Sequence, residues 1–236
     1  MGVQVGRSGA GGEVTTYMKK IMFNDKYRLT DAVLNGTKTQ TRRFPSPRLI
    51  EQYNSLLEEY ELASKNVGVP CSVVSVEDFL LERAPYKVGE IVAVAMSYKS
   101  IYKRVGSWEY AEEYKERHEN LAGWNNKMFT NTKMPFAEIK ITNVRVQRLQ
   151  DITDEECMLE EIREVEVSNN WGNSATHTEY IITYYNAKDL VKQLRARTLR
   201  EAYALLIDKI SGEGTWDSNP YVFVYEFELL EKGGEE

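Results

Sequence analysis

The residues best suited to chemistry lie together in segment 31–43, which reads DAVLNGTKTQTRR. Six consecutive polar side chains occupy positions 38–43, and three of them are cationic. They follow Gly36, a residue type that commonly ends a helix through a left-handed turn. Such a run can bind an anion or a nucleotide just after a helix end. It also fits a solvated edge strand, whose charges prevent pairing with another sheet.

A second group of ionisable residues follows a predicted helix start. Thr153 with Glu156 three residues later is a capping box, which predicts that a helix begins here. Glu160 and Glu161 are adjacent inside this predicted helix. Because successive helical residues turn by about 100°, we expect at most one of them to point into a site shared with positions 38–43.

Two further features are candidates for contacts with a nucleic acid. Trp124 lies in a predicted loop, and an aromatic ring can stack on any base with a gain of ~1–3 kcal/mol. A half-buried loop anchor is the alternative interpretation of this tryptophan. A long helix predicted at 187–210 could present a phosphate-binding stripe or a solvated face. Its basic residues are Lys192, Arg195, Arg197 and Arg200.

Short strands and helices must position these residues. β-prone segments predict strands at 20–24, 71–76, 91–98, 137–149 and 221–230, with a β-bulge at Asn143 where the alternation slips by one residue. Helical spacing and caps predict helices at 25–35, 47–65, 107–119, from Thr153 onward, and at 187–210, where Gly212 ends the last one. We expect residues 1–17, rich in Gly, Ser and Thr, to form a flexible extension and residues 232–236 a tail.

Five sequence blocks occur in a fixed order between about residues 19 and 228. They are GTKTQTRR at 36–43, YKVGEIV at 86–92, EIKITNV at 138–144, LQDITDEE at 149–156 followed by Glu160, and GTWDSNPYVFVYEF at 214–227. In this order they resemble the ASCH domain family, whose fold is the PUA-like β-barrel. The last block resembles the closing strand of the larger phage- and prophage-type members. The chain departs from the family at Ala95-Met96, where relatives usually carry an Arg-Glu pair.

The resemblance implies an α+β fold, namely a PUA-like mixed β-barrel flanked by α-helices. A single domain would span residues 18–231, with helical and loop insertions at about 46–84, 100–132 and 164–210. It also implies a cleft at the barrel mouth that binds RNA, another single-stranded nucleic acid or a modified nucleoside. The candidate ligand-binding residues are Gly36, Thr39, Arg42, Arg43 and Trp124.

Some small family members are amidohydrolases that remove the acetyl group from acetylated cytidine with a Lys, a Thr and a Glu. These three catalytic residues match Lys38, Thr41 and Glu160. Thr41 would be the nucleophile or position the water, and Lys38 would be the base if burial lowers its pKa. Glu160 would pass the proton to the leaving amine, and Arg43 could hold a carbonyl or phosphate oxygen. A regular strand would place Lys38 and Thr41 on opposite faces, so the triad needs a turn or a bulge between them.

Three functions stay open at this point. The first is an ASCH-type protein that binds nucleic acid or a modified nucleotide without turnover. The second is a hydrolase on the same pocket, either an amidohydrolase on acylated cytidine or a ribonuclease. The third is a non-catalytic, phage-related interaction protein. A binding protein should tolerate Thr41→Val, whereas a hydrolase should not.

Composition excludes several other classes of protein. The formal net charge of −6 over 236 residues argues against unspecific coating of nucleic acid, so such contacts need a local patch. No apolar run approaches the ~20 residues that span a bilayer, and we expect a cytoplasmic protein without a membrane partner. Cys71 and Cys157 are far apart and predict core thiols in a reducing compartment. With two histidines and no Cys/His cluster, we expect no metal site and no cofactor.

Overall fold

The computed structural model describes residues 18–67, 73–105, 109–131, 136–168, 176–186, 188 and 190–232. The predictions for residues 1–17, Cys71, the helix start at Ser107 and the tail at 233–236 lie outside the described residues. In chain order the strands are Lys20–Ile21 (β1), Gln40–Arg43 (β2), Ile91–Val94 (β3), Ala137–Arg148 (β4), Arg163–Ser168 (β5), Thr176–Tyr185 (β6), Val191–Ala196 (β7) and Tyr221–Lys232 (β8). The helices are Leu29–Leu34 (α1), Pro47–Val67 (α2), Val76–Glu82 (α3), Tyr98–Val105 (α4), Ala111–His118 (α5), Asp154–Leu159 (α6), Leu199–Ser211 (α7) and Thr215–Ser218 (α8).

The described strands form two sheets, and the α+β class is confirmed. The larger sheet has the strand order β1-β3-β4-β8-β2, in which β1 and β3 are parallel and the other neighbours antiparallel. The smaller sheet is an antiparallel meander of β5, β6 and β7. Buried residues of both sheets and of α7 belong to one continuous hydrophobic core.

The long strands β4 and β8 are the centre of the larger sheet, and the predicted bulge in β4 is confirmed. The register between them shifts between Ile141 and Asn143. After this shift Val144 and Val146 pack against the core. Arg145, on the opposite face, forms ion pairs with Glu156 of α6 and with Glu226 of β8. The bulge therefore helps to direct a charged side chain of β4 toward α6.

Two local features bring the polar run at 38–43 to the larger sheet. The predicted helix at 25–35 is interrupted at Arg28, whose φ of 58° separates a 3-10 turn at Asp25–Tyr27 from α1. Gly36 then has a φ of 72°, as expected for a residue that ends a helix. The backbone amides of Thr37 and Lys38 both donate to the carbonyl of Ala32, at 2.9 and 3.1 Å. This tight turn delivers the chain into β2.

The prediction of one long helix at 187–210 is wrong. Its first half is strand β7, which pairs with β6, and only the second half is helical, in α7. Leu190 and Leu194 are four residues apart, a spacing that puts two side chains on one face of a helix and also of a strand. Lys192 and Arg195 lie in β7 and Arg200 lies in α7, so the basic residues do not form one helical stripe.

Two strand predictions also need correction. Within the described part of predicted strand 71–76, Val76 begins α3, because Ser75 caps the helix by accepting a hydrogen bond from the Asp78 amide. The strand predicted at 91–98 ends at Val94, and Tyr98 begins α4. Helix α2 and the capping box that begins α6 are confirmed.

Candidate functional site

Lys38, Arg42 and Glu160 meet in the interior of the protein. Lys38 donates a hydrogen bond to Glu160 Oε2 across 122 residues of sequence. Arg42 Nη1 donates to Glu160 Oε1 at 3.0 Å and to Gln40 Oε1 at 2.7 Å. The side chains of Lys38 and Arg42 are each 1% exposed and that of Glu160 is 6% exposed. Two cations thus share one buried carboxylate.

The capping box of α6 determines where this carboxylate lies. Thr153 accepts a hydrogen bond from the amide of Glu156, whose side chain in turn accepts one from the amide of Thr153. The helix ends with Glu160 as its C-cap, and Glu161 follows with a φ of 76°. The two adjacent carboxylates diverge, as expected: Glu160 reaches Lys38, while Glu161 accepts a hydrogen bond from Thr37 at 2.6 Å.

A second carboxylate links this cluster to the surface. Arg42 Nη2 donates to Glu156 Oε2 at 2.7 Å. Arg145 pairs with the other oxygen of Glu156 and with Glu226. The guanidinium of Arg42 therefore donates one charge-assisted hydrogen bond to each of two carboxylates, and such bonds are roughly twice as strong as neutral ones.

Tyr203 of α7 completes the surroundings of Arg42. The Arg42 guanidinium carbon lies 5.7 Å from the centroid of the Tyr203 ring. Burial raises the pKa of Tyr203 well above its usual range, and the nearby Glu160 charge raises it further. Tyr203 Oη contacts the Arg42 guanidinium, but neither this hydroxyl nor the buried Arg42 Nε has a hydrogen bond of good geometry among the described residues. Unpaired buried groups of this kind cost about 1–3 kcal/mol each.

Burial lowers the pKa of Lys38, and the adjacent Glu160 carboxylate opposes that change. Desolvation disfavours the ammonium form, whereas the carboxylate at hydrogen-bond distance favours it. The lysine can therefore act as a positive donor toward Glu160, and its proton is released more readily than that of an exposed lysine.

Thr41 lies on the other face of β2. The side chains of Gln40 and Arg42 point toward Glu160, and successive residues of a strand alternate between faces. In the register of β2 with β8, Thr41 lies opposite Tyr225 and Arg43 opposite Phe223. Within the described part of the chain, Glu160 accepts hydrogen bonds from Lys38 and from Arg42, and Thr41 is not among the partners of Lys38 or Glu160. Of the three predicted catalytic residues, Lys38 and Glu160 are therefore in contact, and Thr41 is not part of their cluster.

The other predicted ligand-binding residues are spread around the turn and beyond it. Gly36 is exposed at the turn, and the carbonyl of Thr39 accepts a hydrogen bond from the Phe227 amide at 2.9 Å. Arg43 donates to the carbonyl of Met22. Trp124 is half-buried, with its ring centroid 5.9 Å from that of Tyr102 in α4. Its contacts with α4 correspond to the loop-anchor interpretation, and stacking on a base stays a prediction.

Sequence reasoning missed three members of the cluster and gave a fourth, Gln40 of the polar run at 38–43, no role of its own. Arg145 carries no local signal, and Tyr203 is one polar residue among the apolar residues of α7. Glu156 was explained completely by its capping box, although one carboxylate can serve a cap and bind an arginine at once. The signal that could have found Gln40 is its two-residue spacing to Arg42, which places both on one face of a strand.

Metal and membrane sites are not indicated by the described residues. They contain no group of three or more His, Cys, Asp or Glu side chains arranged to hold a metal ion. None of the helices in the described ranges has the length and hydropathy needed to cross a bilayer. Cys157 is a buried free thiol, and burial raises its pKa to about 12.

Comparisons with protein-family models, with curated proteins and with solved structures returned no match. The resemblance to the ASCH family therefore stays a prediction. The function must be argued from the arrangement of the side chains themselves.

Proposed function

We propose that this chain is an ASCH-type protein that binds a nucleic acid or a modified nucleotide, and that the cluster of Lys38, Arg42, Glu160 and Tyr203 recognises the base. The observation that carries the proposal is a buried set of charges beside two polar groups, Arg42 Nε and Tyr203 Oη, that lack hydrogen bonds of good geometry among the described residues. Buried ionisable groups with perturbed pKa values are concentrated at functional sites. A ligand that pairs with these groups would remove the cost of leaving them unpaired.

The donors and acceptors of the cluster match the chemistry of a nucleobase. Lys38 and Arg42 are donors, Glu160 is an acceptor, and the amide of Gln40 provides both. A base exposed on a single strand presents donors and acceptors together on one edge. Carboxylates accept hydrogen bonds from the exocyclic amine of cytosine in nucleic-acid complexes.

Binding at this cluster requires the turns after α1 and α6 to separate. Lys38 and Glu160 are closed to solvent, and their neighbours Thr37 and Glu161 form a second hydrogen bond between the same two turns. Thr37 is exposed, so this second bond is the one nearer to solvent. Opening and closing of short segments around a ligand is common where water must be excluded from a site.

The proposal includes the finer assignment of the larger sheet as a PUA-like barrel. Strands β1 and β2 are at opposite ends of the strand order. Arg43 of β2 nevertheless donates a hydrogen bond to the carbonyl of Met22, the residue that follows β1. The ring centroid of Phe23 lies 5.7 Å from that of Phe227 in β8. These contacts support a sheet that curls until its two edges approach each other.

A pair of hydroxyl deletions tests the assignment of the base site. We expect Tyr203→Phe to weaken binding of short single-stranded RNA about 2- to 12-fold, the value of one hydrogen bond of ~0.5–1.5 kcal/mol. The free energy of unfolding should stay nearly constant or rise, because the variant loses a buried hydroxyl that has no hydrogen bond of good geometry among the described residues. Fluorescence anisotropy with RNAs that contain cytidine or acetylated cytidine, together with urea unfolding, measures both quantities.

Tyr225→Phe is the matched control. Tyr225 is also buried, and its hydroxyl, which contacts the backbone of Tyr86, also lacks a hydrogen bond of good geometry among the described residues. It lies opposite Thr41 in the register, on the face of the sheet away from Arg42. We expect no change in RNA affinity for this variant. Equal affinities for wild type and Tyr203→Phe, or equal losses in both variants, would contradict the proposed position of the base.

Amide hydrolysis is the second candidate function, and the contact between Lys38 and Glu160 favours it. A lysine whose pKa is lowered by burial, next to a carboxylate, can move a proton during hydrolysis. Because Thr41 faces away, this enzyme would activate a water molecule directly. Turnover of acetylated cytidine that falls ~10²–10⁴-fold in Lys38→Met and survives in Thr41→Val would establish this function. Wild-type protein that binds this nucleoside without turnover would exclude hydrolysis of it.

A further inference from the structure

A second site with ligand-binding character lies apart from the Lys38 cluster. It is a cleft of about 780 Å³, within the range of small-ligand sites. Its lining comes from the 3-10 turn before α1, from α1 itself, from α4 and from the end of β6. Lys38, Arg42, Glu160 and Tyr203 do not belong to this lining.

The cleft is locally basic in a chain that is acidic overall. Four cations line it, namely Lys26, Arg28, Lys103 and Arg104, against Asp25 and Asp31. Asp31 is paired with Arg104 and lies 3.8 Å from Arg28, and Asp25 lies 2.8 Å from Lys127 outside the cleft. In the described ranges Lys26 and Lys103 have no carboxylate partner. The Lys26 ammonium lies 5.4 and 5.8 Å from the ring centroids of Tyr27 and Tyr184. Since no carboxylate neutralises either lysine in the described ranges, both charges can attract an anionic ligand.

An aromatic ring and a constrained arginine lie beside these lysines. Arg28 has a φ of 58°, a left-handed conformation that costs a non-glycine residue about 1–3 kcal/mol. Its guanidinium carbon lies 6.0 Å from the centroid of the Tyr185 ring. The neighbouring Tyr184 stacks on buried Tyr27 with centroids 5.6 Å apart, which fixes the end of β6. Tyr185 is thus held at the cleft by a rigid element.

We propose that this cleft binds a single-stranded nucleic acid, with Lys26, Arg28 and Lys103 at the phosphates and Tyr185 against a base. Basic grooves with interleaved aromatic rings hold single strands in this way, since the cations follow the backbone and every base has a face for stacking. The identity of the ligand rests on the proposed function. The site itself is independent of the Lys38 cluster and extends the contact surface beyond it.

The test removes the two unpaired charges. We expect Lys26→Gln with Lys103→Gln to weaken binding of labelled oligouridine about 10-fold at low salt. The slope of the logarithm of affinity against the logarithm of salt concentration should become less steep by ~1.4, because each phosphate contact on a single strand contributes ~0.7. Fluorescence anisotropy over a salt series measures both quantities. Both lysines are exposed, so the fold should be retained, which circular dichroism checks.

The matched control is Arg48→Gln with Lys65→Gln, which removes the same charge from exposed positions of α2. We expect its affinity and salt slope to equal those of wild type. Equal effects of the two double variants would overturn the cleft assignment in favour of general charge attraction. Inorganic phosphate could also be added at a concentration equal to that of the phosphate groups of the oligouridine. If it then displaced all of the oligouridine, the cleft would be a site for free anions and the nucleic-acid assignment would be overturned.

The outcomes also separate this inference from the proposed base site. A normal salt slope in the cleft variant, with weaker binding by Tyr203→Phe, would overturn the cleft alone. A reduced slope in the cleft variant, with unchanged binding by Tyr203→Phe, would support the cleft and contradict the base site. Wild-type protein that binds no single-stranded nucleic acid would contradict both.

Discussion

Glu160→Gln is expected to lower the free energy of unfolding by ~3–5 kcal/mol, as does removal of one partner from a buried ion pair. Glutamine has nearly the shape of glutamate, so the variant leaves no cavity. It leaves the buried ammonium of Lys38 without a carboxylate, whereas Arg42 keeps the Glu156 carboxylate and the Gln40 side chain as partners. Urea unfolding at neutral pH, followed by tryptophan fluorescence, measures the loss.

Glu161→Gln is the control for this prediction. Glu161 is the next residue, and its side chain is itself only 10% exposed, but its carboxylate contacts exposed Thr37 and Arg163, whose side chain is 61% exposed. An ion pair with an exposed partner contributes about 0–1 kcal/mol, so we expect a small loss. Equal losses in Glu160→Gln and Glu161→Gln would contradict the view that Glu160 compensates buried charge.

Adding Lys38→Met to Glu160→Gln is expected to restore most of that stability. Methionine fills the volume of the lysine chain without its charge, and the glutamine can still accept a hydrogen bond from Arg42. Replacement of both members of a buried pair is often neutral, so the double variant should unfold within ~1–2 kcal/mol of wild type. The recovery relative to Glu160→Gln should therefore be ~1–4 kcal/mol.

The same urea titrations check this second prediction, with Lys38→Met alone completing the double-mutant cycle. In that single variant Glu160 keeps Arg42 as a partner, so its loss should be smaller than that of Glu160→Gln. A double variant as unstable as Glu160→Gln would mean that the loss comes from packing or from the Arg42 contacts, and not from an uncompensated lysine.

The parts of the fold that could be predicted from the sequence depend on local signals. Gly36 ends the turn after α1, the Thr153 capping box begins α6, and the slip at Asn143 marks the bulge in β4. Each of these features follows from interactions within a few residues. Together they place Lys38 and Glu160 at the ends of two helical turns, which is where the structure brings them into contact.

The remaining parts depend on contacts that local sequence does not encode. The spacing of Leu190 and Leu194 is compatible with both a helix and a strand, and only pairing with β6 decides between them. In the sequence, Tyr203 cannot be distinguished from the core residues of α7, and only the fold shows that it lies beside Arg42. Thr41 is three residues from Lys38, and strand alternation in β2 separates it from the cluster.

The basic cleft was not found from the sequence for the same reason. Lys26, Lys103 and Tyr185 come from three distant segments, and each segment is ordinary in composition. The predicted basic helix drew attention to other residues, and that helix does not exist as one element. A local positive patch on an acidic chain was expected for a nucleic-acid-binding protein, but its position required the fold.

The most direct test of the central claim is RNA binding by the Lys38→Met, Glu160→Gln double variant, compared with wild type by fluorescence anisotropy. The variant should remain folded while it loses two charged groups that we propose to contact the base. At ~1.5–3 kcal/mol for each hydrogen bond to a charged group, we predict a loss of affinity of at least about 100-fold. Equal affinities of variant and wild type, or a wild type that binds no RNA, would contradict the account and leave the cluster as a structural ion pair.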